Sequence, residues 1–314
     1  MSLRTFLVVN PASGGGSTGR GWTQLRRRLE RQIGRWEEGF TTHAGHAESL
    51  VRRAVEAGFE RVVVVGGDGT FNEAVCGLFP EDPEFGIAAT PMNPNVVLAP
   101  VRRGTGGDLA RHLGLPGTGD GALRHLVEGH VRPIDLGLCD FVDAAGRPRR
   151  RAFANIASFG LSGLVDAKVN DSGKRFGSLS FATAIGAAFL EYRRQPVRIR
   201  VDGEVWHEGP MLLGAVANGP YFGGGVRFAP EAELDDGLFD VALLRRVGLG
   251  EARRALDLYS GRHARWGAFR STRGRVIETE ILDGSDCLLD VDGEQPGLLD
   301  ARFELIPTAV RLQS

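Results

Sequence analysis

The chain has 314 residues, a length that suggests two domains, although one large domain also fits. Its 38 Lys+Arg and 39 Asp+Glu leave a formal charge of −1, which supplies no global field for a polyanion and argues against a dedicated nucleic-acid binder. A hydrophobic share of 42% sets it apart from disordered chains, and 45 glycines, about twice the usual ~7%, ask for many tight turns or close backbone approaches to a ligand.

Short apolar runs alternate with amphipathic segments up to about residue 135. Thr5–Val9 reads as a strand. Arg20–Ile33 reads as a helix, with Trp22, Leu25, Leu29 and Ile33 at three-to-four spacing. Ala47–Ala57 repeats that pattern. Arg61–Val65 holds a four-valine run suited to a central parallel strand. Phe71–Leu78 begins the next helix. Phe85–Ala89 and Val96–Val101 are strand candidates on either side of the turn-rich stretch Thr90–Asn95. Asp108–Leu113 and Gly121–Glu128 read as helices. This βαβα rhythm predicts a parallel sheet covered by helices.

Beyond about residue 131 the rhythm changes. Strands are expected at Ile134–Cys139, Ala152–Ser158, Val197–Val201, Met211–Asn218, Leu238–Leu244, Arg275–Leu282, Cys287–Val291 and Ala301–Pro307. Asp202-Gly203 and Asp292-Gly293 are hairpin signals. Helices are expected over Phe176–Arg194 and Leu249–Gly261, and the arginines at 147, 149, 150 and 151 read as a solvated hairpin tip. Cys76, Cys139 and Cys287 lie far apart with no metal or redox spacing, which suits a reducing compartment. Neither a signal peptide nor a run of apolar residues long enough to span a bilayer is visible, so a soluble cytoplasmic protein is expected.

Three glycine-rich turns each follow a strand and open a helix. In the first, Asn10-Pro11-Ala12-Ser13-Gly14-Gly15-Gly16, converging amides and a helix start suit a phosphate. It is neither a Walker A loop nor a GxGxxG fingerprint. The second, Gly66-Gly67-Asp68-Gly69-Thr70-Phe71-Asn72, adds an acidic tip. Asp68 repels a phosphate directly but reaches one through Mg²⁺, a hard cation that prefers carboxylate, water and phosphate oxygens. The third is Gly104-Thr105-Gly106-Gly107-Asp108. Such turns at the carboxyl ends of parallel strands are where open α/β sheets bind ligands. No HExxH pair of histidine ligands is present.

Taken in order, Asn10-Pro-x-Ser-Gly, Gly66-Gly-Asp-Gly-Thr and Gly104-Thr-Gly-x-Asp-x-Ala-Arg resemble the diacylglycerol kinase catalytic domain, a family that includes bacterial lipid kinases and sphingosine kinases. Phe153-Ala-Asn155-Ile, Gly223-Gly224-Gly225, Ala229–Asp240 and Asp292-Gly293-Glu294 carry the resemblance through the second half. It implies an α/β first domain, residues 1–134 with a C-terminal return at about 302–314, and a mostly antiparallel β-sandwich second domain, 135–301. It implies an ATP-dependent lipid kinase acting in phospholipid biosynthesis, with ATP lined by Asn10, Pro11, Ala12, Ser13, Thr42, Gly66, Gly67, Asp68, Gly69, Thr70, Phe71, Asn72 and Thr105. It further implies Mg²⁺ held by Asp236 with the carbonyls of Glu233 and Leu238, a proton acceptor at Asp292 with Glu294 beside it, and a catalytic share for Asp68. The lipid would be met peripherally at the inner membrane surface; no nucleic acid is implied, and a homodimer stays open.

The sequence also departs from the pattern. The family usually has Asn where Gly107 stands, Arg102 and Arg103 precede the third turn as phosphate contacts or surface charge, and Thr90–Asn95 looks inserted. Leu249–Gly261, with Leu256 and Tyr259 on one face and the aromatic-arginine stretch His263–Arg270 after it, fits a core-facing helix or a membrane contact. Two other functions remain open: a soluble small-molecule kinase of the NAD kinase type, and a non-catalytic nucleotide- or lipid-binding regulator.

Overall fold

A computed structural model describes residues 3–104, 107–116, 120–162, 192–252, 254 and 256–314. Thr105 and the expected helix 176–194, up to residue 191, lie outside them. The chain forms two units, Met1–Leu136 with Ile306–Ser314, and Gly137–Leu305.

The first unit runs β1 (Thr5–Val9), α1 (Ser17–Arg20), α2 (Trp22–Ile33), β2 (Glu37–Phe40), α3 (His46–Glu56), β3 (Arg61–Gly66), α4 (Asp68–Cys76), β4 (Glu81–Asp82), β5 (Gly86–Ile87), β6 (Val97–Arg102), α5 (Asp108–His112) and α6 (His125–Glu128). Strands β2, β1, β3 and β6 lie side by side, all parallel. All six residues of β3 are buried, because helices cover both faces and leave no polar side for the valine run. Leu25 and Leu29 of α2 and Leu126 of α6 pack on Leu7, Val9, Val63, Val65, Ala99 and Val101. Residues 306–314 return to this unit, where Arg311 and Leu312 pair in parallel with Val97 and Leu98 of β6.

Four expectations shift here. The helix expected over Gly121–Glu128 divides into a 3₁₀ turn, Asp120–Leu123, and the short α6. The helix from Arg20 breaks at Gly21 into α1 and α2. The helix expected from Phe71 starts at Asp68, so Asp68, Gly69 and Thr70 form its first turn. Phe85–Ala89 shrinks to the two-residue β5, paired with β4.

The second unit continues through β7 (Val131–Val142, which begins in the first unit), β8 (Pro148–Phe153), β9 (Ile156–Gly160), β10 (Gln195–Val201), β11 (Glu204–Met211), β12 (Leu213–Ala217), β13 (Phe239–Leu244), β14 (Phe269–Gly274), β15 (Val276–Ile281), β16 (Cys287–Val291) and the 20-residue β17 (Glu294–Gln313). The run β14-β13-β12-β9-β16-β17 pairs antiparallel, and β10 pairs with β11 and β15. The sandwich core holds Phe153, Phe159, Phe239 and Phe303, with Phe153 stacked on Phe239 at 5.7 Å between ring centroids. Strand β12 alternates: Val216 enters that core, while Ala215 and Ala217 join Phe228, Ala229 and Trp266 on the other face.

Both Asp-Gly hairpins form, with Asp202 (φ 50) and Asp292 (φ 52) in left-handed conformation ahead of Gly203 and Gly293, as a type I′ turn requires. The Arg147–Arg151 tip is neutralised locally: Arg147 and Arg149 meet Asp143 at 2.9 and 3.4 Å, and Arg150 meets Asp140 at 2.6 Å. The helix expected over Leu249–Gly261 reduces to two short turns, Leu249–Ala252 and Asp257–Ser260. Leu256 and Tyr259 are 77% and 49% exposed rather than core-facing, whereas Trp266 is buried in the core. Among the described residues no helix is long and apolar enough to cross a membrane.

Candidate functional site

In the first unit the glycine turns stand at the carboxyl ends of the adjacent parallel strands β1, β3 and β6. Gly14, Gly15 and Gly16 have φ of 60, 63 and 80°, three successive left-handed residues that a Cβ would strain. The Asn10 side chain folds this loop, its Oδ1 accepting from the Ala12 N–H at 3.0 Å and its Nδ2 donating to Thr70 Oγ1 at 2.8 Å. Ser13 Oγ donates to the Asn10 carbonyl and lies 2.7 Å from Thr18 Oγ1. The first turn is thus tied to the second.

The second is tied to the third. Asp68 Oδ2 accepts from the Gly107 N–H at 2.5 Å, and the Arg103 N–H donates to the Gly66 carbonyl at 2.7 Å. A Cβ on Gly104 would stand 3.0 Å from the Gly67 Cα, so glycine lets these two backbones touch. Gly107 has φ of 77°, and a Cβ there would collide with the Arg102 side chain. The departure from Asn at this position therefore makes room for Arg102, which lines a small pocket with Gly66, Gly67, Asp68, Phe71 and Gly107. Burial, and then the neighbouring Arg28, depress the Arg103 pKa, and Arg103 Nε is buried without a hydrogen-bond partner. Such a group favours an incoming anion.

Of the other expected residues, Phe71 and Asn72 are buried in α4. Pro11 accepts from the Gly19 N–H at 3.0 Å. Thr42 follows β2, beside β1, with its Oγ1 at 2.9 Å from His43 Nδ1 and 3.1 Å from His46 Nδ1. The two imidazoles stack with ring centroids 4.8 Å apart.

In the second unit Asp292 has a structural task that its sequence setting does not reveal. The strand expected over Ala152–Ser158 is broken between β8 and β9, and the freed amides turn onto this carboxylate. Ala154 N–H donates to Oδ2 at 3.1 Å; Asn155 N–H and Ile156 N–H donate to Oδ1 at 3.2 and 2.8 Å. Asp292 is 9% exposed. Glu294, two residues on, is exposed at the start of β17.

The turn before β13 holds the residues implied for Mg²⁺. Asp236 Oδ1 accepts from the Leu238 N–H at 3.1 Å, and Asp236 Oδ2 contacts a terminal nitrogen of Arg273. Arg273 Nε also donates to Asp240 Oδ2 at 3.2 Å. With a guanidinium already against Asp236, these residues do not fit a divalent cation, which needs several oxygens and no adjacent positive charge. Sequence reasoning missed Arg273, because nothing in the primary pattern places it across from Asp240. Asp68, by contrast, offers a carboxylate among glycine amides, a donor set that fits nucleotide-borne Mg²⁺.

Burial, then Glu231 and Glu233, push the Asp240 carboxyl from 3.8 up to about 6 despite its Arg273 partner. The folded state therefore holds a proton that the unfolded state has released between about pH 4 and 6. We expect this group's contribution to stability to fall as pH rises through that window, by on the order of 2 kcal/mol, and then to level off. Urea titrations should show the fall as a difference between wild type and Asp240→Asn.

Residues 4–139 match the diacylglycerol kinase catalytic domain, and residues 155–314 match the YegS C-terminal NAD kinase beta sandwich-like domain. The chain is 28% identical over 305 residues to a diacylglycerol kinase of Staphylococcus carnosus, covering 96% of this chain and 92% of that one. It is 31% identical over 275 residues to a Pseudomonas putida protein named probable lipid kinase YegS-like, covering 87% and 83%. A crystal structure of a diacylglycerol kinase from Bacillus anthracis str. Sterne superposes with a TM-score of 0.70 at 22% identity, over 99% of this chain and 96% of that one, a likeness of fold.

Proposed function

The chain belongs to the diacylglycerol kinase family of lipid kinases, and from that premise we propose that it transfers the γ-phosphate of Mg-ATP to the hydroxyl of a diacylglycerol-like lipid. The observation that carries this reading is the tying of three glycine turns along one strand edge by the Asn10–Thr70 and Asp68–Gly107 bonds. Phosphoryl transfer needs positioning and charge neutralisation more than covalent help. The loop amides, the N-terminus of α4, Arg102 and Arg103 bind and orient the triphosphate. Asp68 would face its Mg²⁺, which would screen the phosphate oxygens. Asn10, Pro11, Ala12, Ser13, Thr42, Gly66 to Asn72 and Thr105 complete the nucleotide set, and the first unit is the ATP-binding domain.

The second unit serves the lipid. With both Asp292 oxygens engaged by backbone amides, Asp292 holds the break between β8 and β9 in place, and the proton-acceptor role expected there passes to Glu294. As the lipid oxygen bonds to phosphorus and the bond to ADP breaks, the hydroxyl proton moves to the Glu294 carboxylate. Exposed Leu256 and Tyr259, with exposed Arg254, Arg262 and Arg265 close by in the chain, suit an anionic bilayer surface met peripherally from the cytoplasm.

Incubation with γ-labelled ATP and diacylglycerol in mixed micelles, alongside NAD, tests the reading. Labelled phosphatidic acid is the expected product. Labelled NADP would favour the small-molecule kinase, and ATP binding without lipid-dependent ADP release would favour a regulator.

A further inference from the structure

We infer that Arg273 supplies, as a built-in cation, the positive charge that a divalent metal would otherwise bring to the Asp236 turn, so that this turn is complete without metal. The inference concerns only the second unit and stands whatever the phosphate acceptor proves to be.

Backbone register carries it. Strands β13 and β14 pair antiparallel with Asp240 directly opposite Arg273. Facing residues of such a pair bring their side chains together, so Arg273 is delivered to this spot by the sheet itself. From there its guanidinium reaches two carboxylates. Its Nε donates to Asp240 Oδ2 at 3.2 Å, and a terminal nitrogen meets Asp236 Oδ2. A planar fork of donors suits such bridging, where an ammonium would act as a point charge.

The surroundings explain why a cation is needed. Glu231, Glu233, Asp235, Asp236 and Asp240 fall within ten residues. The Asp240 side chain is 8% exposed and that of Asp236 is 22% exposed, so water screens neither well. The Leu238 N–H holds the other oxygen of Asp236 at 3.1 Å. A second guanidinium closes the same turn: Arg275 Nε donates to the Gly237 carbonyl at 3.2 Å. Mg²⁺ demands near-octahedral oxygen coordination, whereas this turn offers Asp236 already shared between an amide and an arginine, with two arginines at its back. The divalent cation of the reaction then enters with the nucleotide alone.

Melting of the nucleotide-free protein in EDTA and in millimolar Mg²⁺, with Mn²⁺ binding followed by electron paramagnetic resonance, tests this. Wild type should melt within about 1 °C in both buffers and bind no Mn²⁺ that Asp236→Asn removes. Arg273→Met should melt about 5 °C lower or more in EDTA and regain part of the loss with Mg²⁺, while Arg273→Lys should keep most of the wild-type stability. A wild-type melting point that rises with Mg²⁺ and loses that rise in Asp236→Asn would overturn the inference. So would an Arg273→Met protein as stable as wild type in EDTA. Should Arg273→Met fail to fold, the wild-type and Asp236→Asn measurements decide by themselves.

Discussion

Replacing Glu294 by Gln should lower kcat by about 10²–10⁴-fold while ATP affinity and melting temperature stay at wild-type values. Glu294 is exposed and begins a strand, so its amide isostere costs the fold little and removes only the group that takes the hydroxyl proton. Asp292→Asn should behave differently. Asparagine tolerates the left-handed conformation at this position (φ 52), so the backbone of the turn survives. The new NH₂ nevertheless turns a donor toward at least one of the amides of Ala154, Asn155 and Ile156. Each buried donor left without an acceptor costs roughly 1–3 kcal/mol, so Asp292→Asn should lose stability as well as turnover. Parallel urea titrations and single-turnover assays separate the two. If Asp292→Asn is inactive but fully stable and Glu294→Gln still turns over, the acceptor is Asp292.

Asp68→Ala should reduce kcat/KM for ATP by about 10²-fold, the scale of loss that an ångström of misplacement brings. The carboxylate holds the second and third turns together through the Gly107 N–H at 2.5 Å, and it is the acidic group available to face the metal of Mg-ATP. Its removal frees the third turn and withdraws charge from the Mg²⁺ at once. Asp68→Asn keeps an acceptor for Gly107 and loses only the charge, so it should fall between wild type and Asp68→Ala, with its deficit eased at high Mg²⁺. Equal losses in the two variants would assign the whole effect to charge. A loss below a few-fold in both would remove Asp68 from the site.

The first unit was the more legible because its signals are local. A run of four valines can only be buried on both faces, and three turns of glycine between strand and helix declare close backbone approach. The hairpins at Asp202 and Asp292 were visible for the same reason. Strand β2 was invisible: Glu37, Glu38 and Gly39 carry no apolar alternation, and the segment is a strand only because β1 offers it a ladder. The break at Ala154–Asn155 depends on a carboxylate more than a hundred residues later, and the Arg273 bridge depends on sheet register. Neither can be read along the chain. At Leu256 and Tyr259 helical spacing suggested a buried stripe, but spacing does not say which neighbour, if any, comes to cover it.

Strand β17 serves both units in turn: Glu294–Leu305 builds the sandwich, and the remainder crosses to flank β6. There the Thr308 N–H donates to Asp135 at 2.8 Å, while the buried Arg61, first residue of β3, reaches both Leu126 and Gln313. During synthesis the nascent first unit therefore emerges with β6 bare at Val97 and Leu98, an apolar strand edge of the kind that templates aggregation. It waits until the whole second unit has left the ribosome before residues 306–314 arrive to flank it. Folding of the first unit is thus hostage to a ribbon translated only after the second.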